Sequence, residues 1–129
     1  MKEFENNALF WQKLDTIYVS SEIVIEHKKN TAHPRFVNAI CPVDYGFLRD
    51  TMSAEMSKID VFIGSGDVSR IHAIMVSVDI LKKDCEIKIL IGCSEEETHD
   101  ILVFLNENES QKCVLLRRGK DVPEWASKE

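Results

Sequence analysis

Apolar residues near the amino terminus recur at spacings of three and four, which is the period of an α-helix. Between residues 3 and 18 the recurring residues are Phe4, Ala8, Trp11, Leu14 and Tyr18. The pattern predicts a helix over residues 3–18 that packs one face against the core. An alternative use of this helix stays open, in which Phe10 and Trp11 form a contact between copies of a homo-oligomer.

The middle of the chain has short runs rich in β-branched residues, which are typical of strands. The predicted strands are residues 23–25, 59–63, 70–78, 86–91 and 112–117. The turn residues Gly64, Ser65, Gly66 and Asp67 separate the second of these runs from the third. Two such runs joined by a short turn predict a hairpin.

A second helix is marked at its amino-terminal end. Ser94 and Glu97 form the S-x-x-E pattern of a capping box, and Glu95 and Glu96 place negative charge in the first turn. The pattern predicts a helix over residues 95–105. Its buried stripe is predicted to be Thr98, Ile101, Leu102 and Leu105.

These elements predict a β-rich α+β fold, a small barrel or curled sheet of mainly antiparallel strands. The length of 129 residues predicts a single domain, 1–129, with a loose tail over residues 119–129. Acidic residues outnumber basic ones by 22 to 16, and the net charge of −6 disfavours nucleic acid and anionic membranes as partners. No apolar run reaches the roughly 20 residues that span a bilayer.

Two further features concern the compartment. The first seven residues are mostly polar and contain no apolar h-region of a secretory signal. The four cysteines form no C-x-x-C pair. The sequence therefore predicts a cytoplasmic protein with reduced thiols.

One strand carries three charged residues at alternate positions. Because alternate residues of a strand share a face, Asp84, Glu86 and Lys88 are predicted to project together. Carboxylates suit Mg²⁺, and a lysine ammonium suits a phosphate oxygen. A solvated strand face with balanced charge is the alternative for this segment.

Three other segments offer candidate chemistry. Asp60 interrupts an apolar strand and follows Glu55, so the two acids are candidates for an oxygen cage, although Asp60 also suits the outer face of a strand. Tyr45 is either a donor to phosphate or a core tyrosine. Lys29 and Arg35 belong to a small basic segment where an anion would dock, or to a solvated loop.

The segment over residues 41–48, followed by Asp60 at the right distance, resembles the soluble, magnesium-dependent type I inorganic pyrophosphatases. Those enzymes carry a Y-P-x-N/D-Y-G-Y/F-I segment and then a D-G-D-P-h-D-h-h motif, where h is apolar. Asp60 falls on the last acid of that motif and Glu55 on the first. Ser57 replaces the middle acid and Lys58 replaces the proline.

The similarity extends in both directions, over residues 22 to about 92. Glu26 matches a glutamate that ends the family's early strand, and Arg35 matches the arginine of its R-F pair. Asp84, Glu86 and Lys88 resemble the family's later D…D-A-K-L segment, with a shortened loop. The family's K-x-E hairpin is compressed into residues 28–34, and its later Y-K pair has no counterpart in residues 100–108.

The resemblance implies a small OB-like β-barrel flanked by helices. The pattern above supplies an amino-terminal helix, which is not the family's usual start, and one helix in the carboxy-terminal half. It implies Mg²⁺-dependent hydrolysis of pyrophosphate or a related diphosphate. The implied metal ligands are Glu26, Glu55, Asp60, Asp84 and Glu86; the implied catalytic residues are Asp60, Tyr45 and Lys88; the implied ligands of a small anionic phosphate substrate are Arg35, Lys29, Tyr45 and Lys88. A catalytically silent module that binds a phosphorylated ligand or a partner protein is the alternative.

Overall fold

The computed structural model describes residues 7–30, 32–33, 36–52, 58–69 and 71–119, with the backbone alone at 32–33 and 36–40. Two helices and eight strands make up the described part of the chain. In chain order these are α1 (Ala8–Val19), β1 (Ile23–His27), β2 (Ala32–His33), β3 (Phe36–Ile40), β4 (Asp44–Leu48), β5 (Ile59–Ile63), β6 (Ile71–Asp79), β7 (Asp84–Ile91), α2 (Glu95–Asn106) and β8 (Gln111–Arg117).

Six of the strands form one sheet in the order β1-β4-β5-β7-β6-β8, and β2 pairs with β3 separately. Four strand pairs in the large sheet are antiparallel, and β5 with β7 is the parallel pair. Because β1 and β8 lie at opposite edges, the sheet is open over the described strands. The predicted α+β class with mainly antiparallel strands is confirmed.

The predicted hairpin between β5 and β6 is wrong. β5 pairs with β4 on one side and with β7 on the other, and β6 is the antiparallel partner of β7. The backbone N–H of Gly64 donates to the carbonyl of Ile91 at 2.8 Å, and that of Gly66 donates to the carbonyl of Gly92 at 2.7 Å. The turn is therefore hydrogen-bonded to the end of β7. In the sheet, β7 lies between β5 and β6, the two strands that the turn connects.

α1 packs against one face of the sheet. Its Trp11 is fully buried in an apolar cluster with residues of β4 to β7, among them Val61 and Ile89. Arg118 donates to the carboxylate of Asp15 at 3.1 and 2.7 Å, which ties the helix to the end of β8. Trp11 is thus part of the core and is not available for a contact between copies, whereas Phe10 is 40% exposed.

α2 packs against the opposite face. The predicted capping box is present: Glu97 N–H donates to the Ser94 hydroxyl at 3.1 Å, and Ser94 N–H donates to the Glu97 carboxylate at 2.8 Å. Ile101 and Leu105 pack on an apolar cluster that includes Phe62. This second cluster borders the charged residues described below.

The predicted element bounds lie close to the structure where residues are described. The helix predicted at 95–105 spans Glu95–Asn106, and the strand predicted at 112–117 spans Gln111–Arg117. The start of the helix predicted at 3–18 and most of the tail predicted at 119–129 lie outside the described residues. The four cysteines are free thiols. None of the described helices is long and apolar enough to cross a membrane.

Candidate functional site

Neighbouring strands bring three of the candidate residues to one face of the sheet. Tyr45 on β4 lies opposite Phe62 on β5, and Asp60 on β5 is level with Lys88 on the parallel strand β7. Adjacent strands are about 4.8 Å apart, so side chains at matched positions on one face come into contact. The cluster therefore depends on β7 lying next to β5.

Lys88 lies between two carboxylates. Its Nζ is 2.9 Å from Oδ2 of Asp60 and 3.2 Å from Oε2 of Glu86, and its side chain is only 8% exposed. Burial alone lowers the pKa of Lys88, but the charges and hydrogen bonds of Asp60 and then Glu86 outweigh that effect. The pKa is raised above its usual value, so the ammonium stays charged.

Tyr45 is partly buried beside this ion cluster. Its ring is stacked with the His27 ring at 6.0 Å between centroids and 14° between planes, and it packs on Phe62 at 4.8 Å. Burial is the largest cause that raises the pKa of Tyr45. The charge and hydrogen bond of Asp60, and then the charges of Glu86 and Glu26, raise it further. The hydroxyl therefore stays protonated and donates to Asp60.

A close approach of two strands positions Tyr45. A Cβ added at the next residue, Gly46, would lie 2.0 Å from the backbone oxygen of Val24, so only glycine lets β1 come this near to β4. A bulge between Ile25 and His27 then places His27 opposite Tyr45. Sequence reasoning missed His27, because a bulge interrupts the alternation on which such reasoning depends.

The other predicted site residues are more widely spread. Glu26 is exposed on β1, near enough for its charge to raise the pKa of Tyr45. Asp84 lies at the start of β7, level with Asp79, and its carboxylate is 3.9 Å from Nζ of Lys82. Lys29 is exposed, and its backbone N–H donates to Asp44 at 2.8 Å. Arg35 and Glu55 lie outside the described residues.

The carboxylates of the site are the groups that could hold a metal ion. In the part of the chain that the structure describes, no three His, Cys, Asp or Glu side chains are grouped to hold one. Asp60 and Glu86 nevertheless converge on a single cation, the Lys88 ammonium. Mg²⁺ is usually bound through one or two carboxylates together with water and substrate phosphates. Such carboxylates suit Mg²⁺, and in this structure both are paired with the Lys88 ammonium.

The fold is similar to that of a solved protein structure, although no sequence match accompanies it. No protein-family model matches the sequence, and no curated protein matches it. An inorganic pyrophosphatase from Helicobacter pylori matches in structure with a TM-score of 0.52 and 14% identity, over 78% of this chain and 85% of that chain.

Two further solved structures are similar at 14% identity. One is an inorganic phosphatase from Anaplasma phagocytophilum, with a TM-score of 0.48 over 74% of this chain and 81% of that one. The other is an inorganic pyrophosphatase from Coxiella burnetii, with a TM-score of 0.47 over 74% and 82%. The match to the Helicobacter pylori enzyme shows that this chain has a pyrophosphatase-like, OB-like α+β fold.

Proposed function

We propose that the protein hydrolyses inorganic pyrophosphate or a related small diphosphate at the cluster of Tyr45, Asp60, Glu86 and Lys88. The observation that carries this proposal is the buried ammonium held between two carboxylates beside a tyrosine hydroxyl. The pyrophosphatase-like fold supports it. Water would attack one phosphorus, and the bond to the bridging oxygen would break to release two phosphates.

The side chains have distinct proposed roles. Lys88 stabilises negative charge on the phosphates, because an ammonium in a site of low exposure interacts strongly with an anion. Asp60 accepts a hydrogen bond from the attacking water and orients it. Tyr45 acts as a hydrogen-bond donor rather than a base, since its pKa is raised. Arg35 and Lys29 are proposed as further phosphate ligands.

We propose Mg²⁺ as the cofactor. Asp60 and Glu86 would hold it, with Glu26, Glu55 and Asp84 as further candidate ligands. When bound, the ion supplies positive charge that screens the highly anionic substrate and lowers the pKa of bound water. Ser57, which stands where the pyrophosphatase motif has its middle acid, predicts fewer metal ligands than that motif provides.

The test is phosphate release from pyrophosphate by the purified protein with Mg²⁺. Asp60→Asn is expected to lower the rate by about 100-fold, a usual loss when one positioned group is removed from such a site. The matched control is Asp100→Asn, at an exposed aspartate on α2, which should keep the wild-type rate. A wild-type rate no higher than that of a folded Asp60→Asn protein would contradict the proposal.

One observation favours a second function, a silent module that binds a phosphorylated ligand. Both carboxylates already have a partner within the protein, and Lys88 is almost fully buried. In that case imidodiphosphate, an analogue that resists hydrolysis, would bind in a calorimetric titration while pyrophosphate stays intact. Phosphate release from pyrophosphate by the wild type but not by Asp60→Asn would exclude this second function.

A further inference from the structure

We propose that Lys88 couples two binding events at this site: its ammonium blocks the Asp60–Glu86 pair against a divalent cation until a phosphate anion draws it away. The inference rests on the proposed phosphate site and adds a rule for how that site fills. Cation and anion should then bind with positive cooperativity.

The gap between the two carboxylates is small. Oδ2 of Asp60 and Oε2 of Glu86 both contact the same nitrogen, at 2.9 and 3.2 Å. A magnesium ion that used these two oxygens would lie about 2.1 Å from each of them. It would occupy the same gap as the ammonium, and the two positive charges would repel each other. The gap therefore holds one cation at a time.

The Lys88 ammonium needs another anionic partner before it can leave the two carboxylates. A charged group that is 8% exposed cannot leave its partners without a large desolvation cost. An ammonium has three donors and no acceptor, so its new partner must supply acceptor oxygens. A phosphate supplies them, and the flexible four-carbon stem of lysine permits the change of partner. The ring of Tyr45, with its centroid 5.9 Å from Nζ, lies near the ammonium and offers it a cation–π contact.

Departure of the Lys88 ammonium leaves the two carboxylates unpaired. If Lys88 turns to an anion, Asp60 and Glu86 are left with like charges and no cation between them. A divalent cation removes that penalty. Each ligand thus lowers the cost of binding the other, and such a coupling is necessarily reciprocal.

The experiment is a calorimetric titration of Mg²⁺ into the wild-type protein, with and without inorganic phosphate. Phosphate is expected to raise the affinity for Mg²⁺ about 10-fold, within the usual range of coupling between sites. Protein-free titrations correct for Mg²⁺ that binds phosphate in solution. Equal affinities in the two conditions, or no Mg²⁺ binding in either, would overturn the inference.

A variant sharpens the test. Lys88→Met keeps an unbranched apolar stem but removes the ammonium, so it should bind Mg²⁺ about 10-fold more tightly than the wild type without phosphate. Phosphate should then change that affinity little. Lys82→Met is the matched control, because Lys82 is 40% exposed and 3.9 Å from Asp84, and it should behave as the wild type does. A folded Lys88→Met protein whose affinity equals that of the wild type would overturn the inference.

The two proposals can fail separately. Hydrolysis of pyrophosphate without coupling would leave the proposed function standing and remove the role of Lys88 as a competitor. Coupling between Mg²⁺ and phosphate without hydrolysis would support the competitor role and remove the enzymatic function.

Discussion

Over residues 88–91 both faces of β7 are buried, yet by different means. On the α1 side, Ile89 and Ile91 are fully buried in an apolar cluster around Trp11. On the α2 side, Lys88 is nearly as buried, but its partners are carboxylates. Burial of apolar surface is favourable by itself, whereas a buried ion must be paired to offset its desolvation. One strand thus contributes stability through one face and candidate chemistry through the other.

The largest effect on stability is expected on the apolar face. Trp11→Ala should lower the free energy of unfolding by about 3 to 5 kcal/mol, because it removes a fully buried ring from the core. Urea unfolding measures this loss. Phe10→Ala, at a neighbouring ring that is 40% exposed, is the control and should cost about 1 kcal/mol. Equal losses for the two variants would contradict the placement of Trp11 in the core.

On the charged face, Lys88→Met should cost about 3 kcal/mol, since it leaves two carboxylates without the cation between them. Replacing the acids as well, in the triple variant Asp60→Asn, Glu86→Gln, Lys88→Met, should recover most of that loss. Urea unfolding of the single and triple variants separates charge from packing. A triple variant as unstable as Lys88→Met would show that packing alone explains the loss.

The approach of β1 to β4 can be tested at Gly46. Gly46→Ala should cost about 2 kcal/mol, because the new methyl group would meet the backbone of Val24 and the strand has to shift. The shift should also disturb the stacking of His27 on Tyr45, which near-ultraviolet circular dichroism detects. Gly66→Ala, whose nearest contact would be 3.0 Å, is the milder control. Unfolding data that show no loss for Gly46→Ala would be inconsistent with the close approach.

The smallest effect on stability is expected at acidic pH, where His72 takes up a proton. Its Nε2 is buried without a hydrogen-bond partner among the described residues. Burial has the largest effect on the pKa of the ring and lowers it, whereas the charge of Glu95 raises the pKa and that of Arg117 lowers it. The unfolded chain therefore takes up the proton first as the pH falls through about 6.5, and the folded state loses stability there.

The comparison of unfolding at about pH 7.5 and about pH 5.5 measures this effect. His72→Gln should weaken the dependence on pH, whereas His99→Gln, at an exposed histidine of α2, should retain it. An unchanged dependence in His72→Gln would assign the acid sensitivity to other groups.

Local signals predicted much of the fold. The capping box of Ser94 and Glu97 set the start of α2, and the alternation along residues 84–88 correctly placed Glu86 and Lys88 on one face. These predictions succeeded because they depend on hydrogen bonds or side-chain directions within a few residues. The roles assigned to the site residues remain predictions.

The sequence by itself determined the two helices, five of the eight described strands and the shared face of Glu86 and Lys88. Only the tertiary structure decided that β7 lies parallel to β5, which brings Asp60 within 2.9 Å of Lys88. It also decided, through the bulge in β1, that His27 lies on Tyr45. The reason is physical: short-range preferences set the state of each segment, but the choice of neighbouring strand depends on contacts between distant parts of the chain.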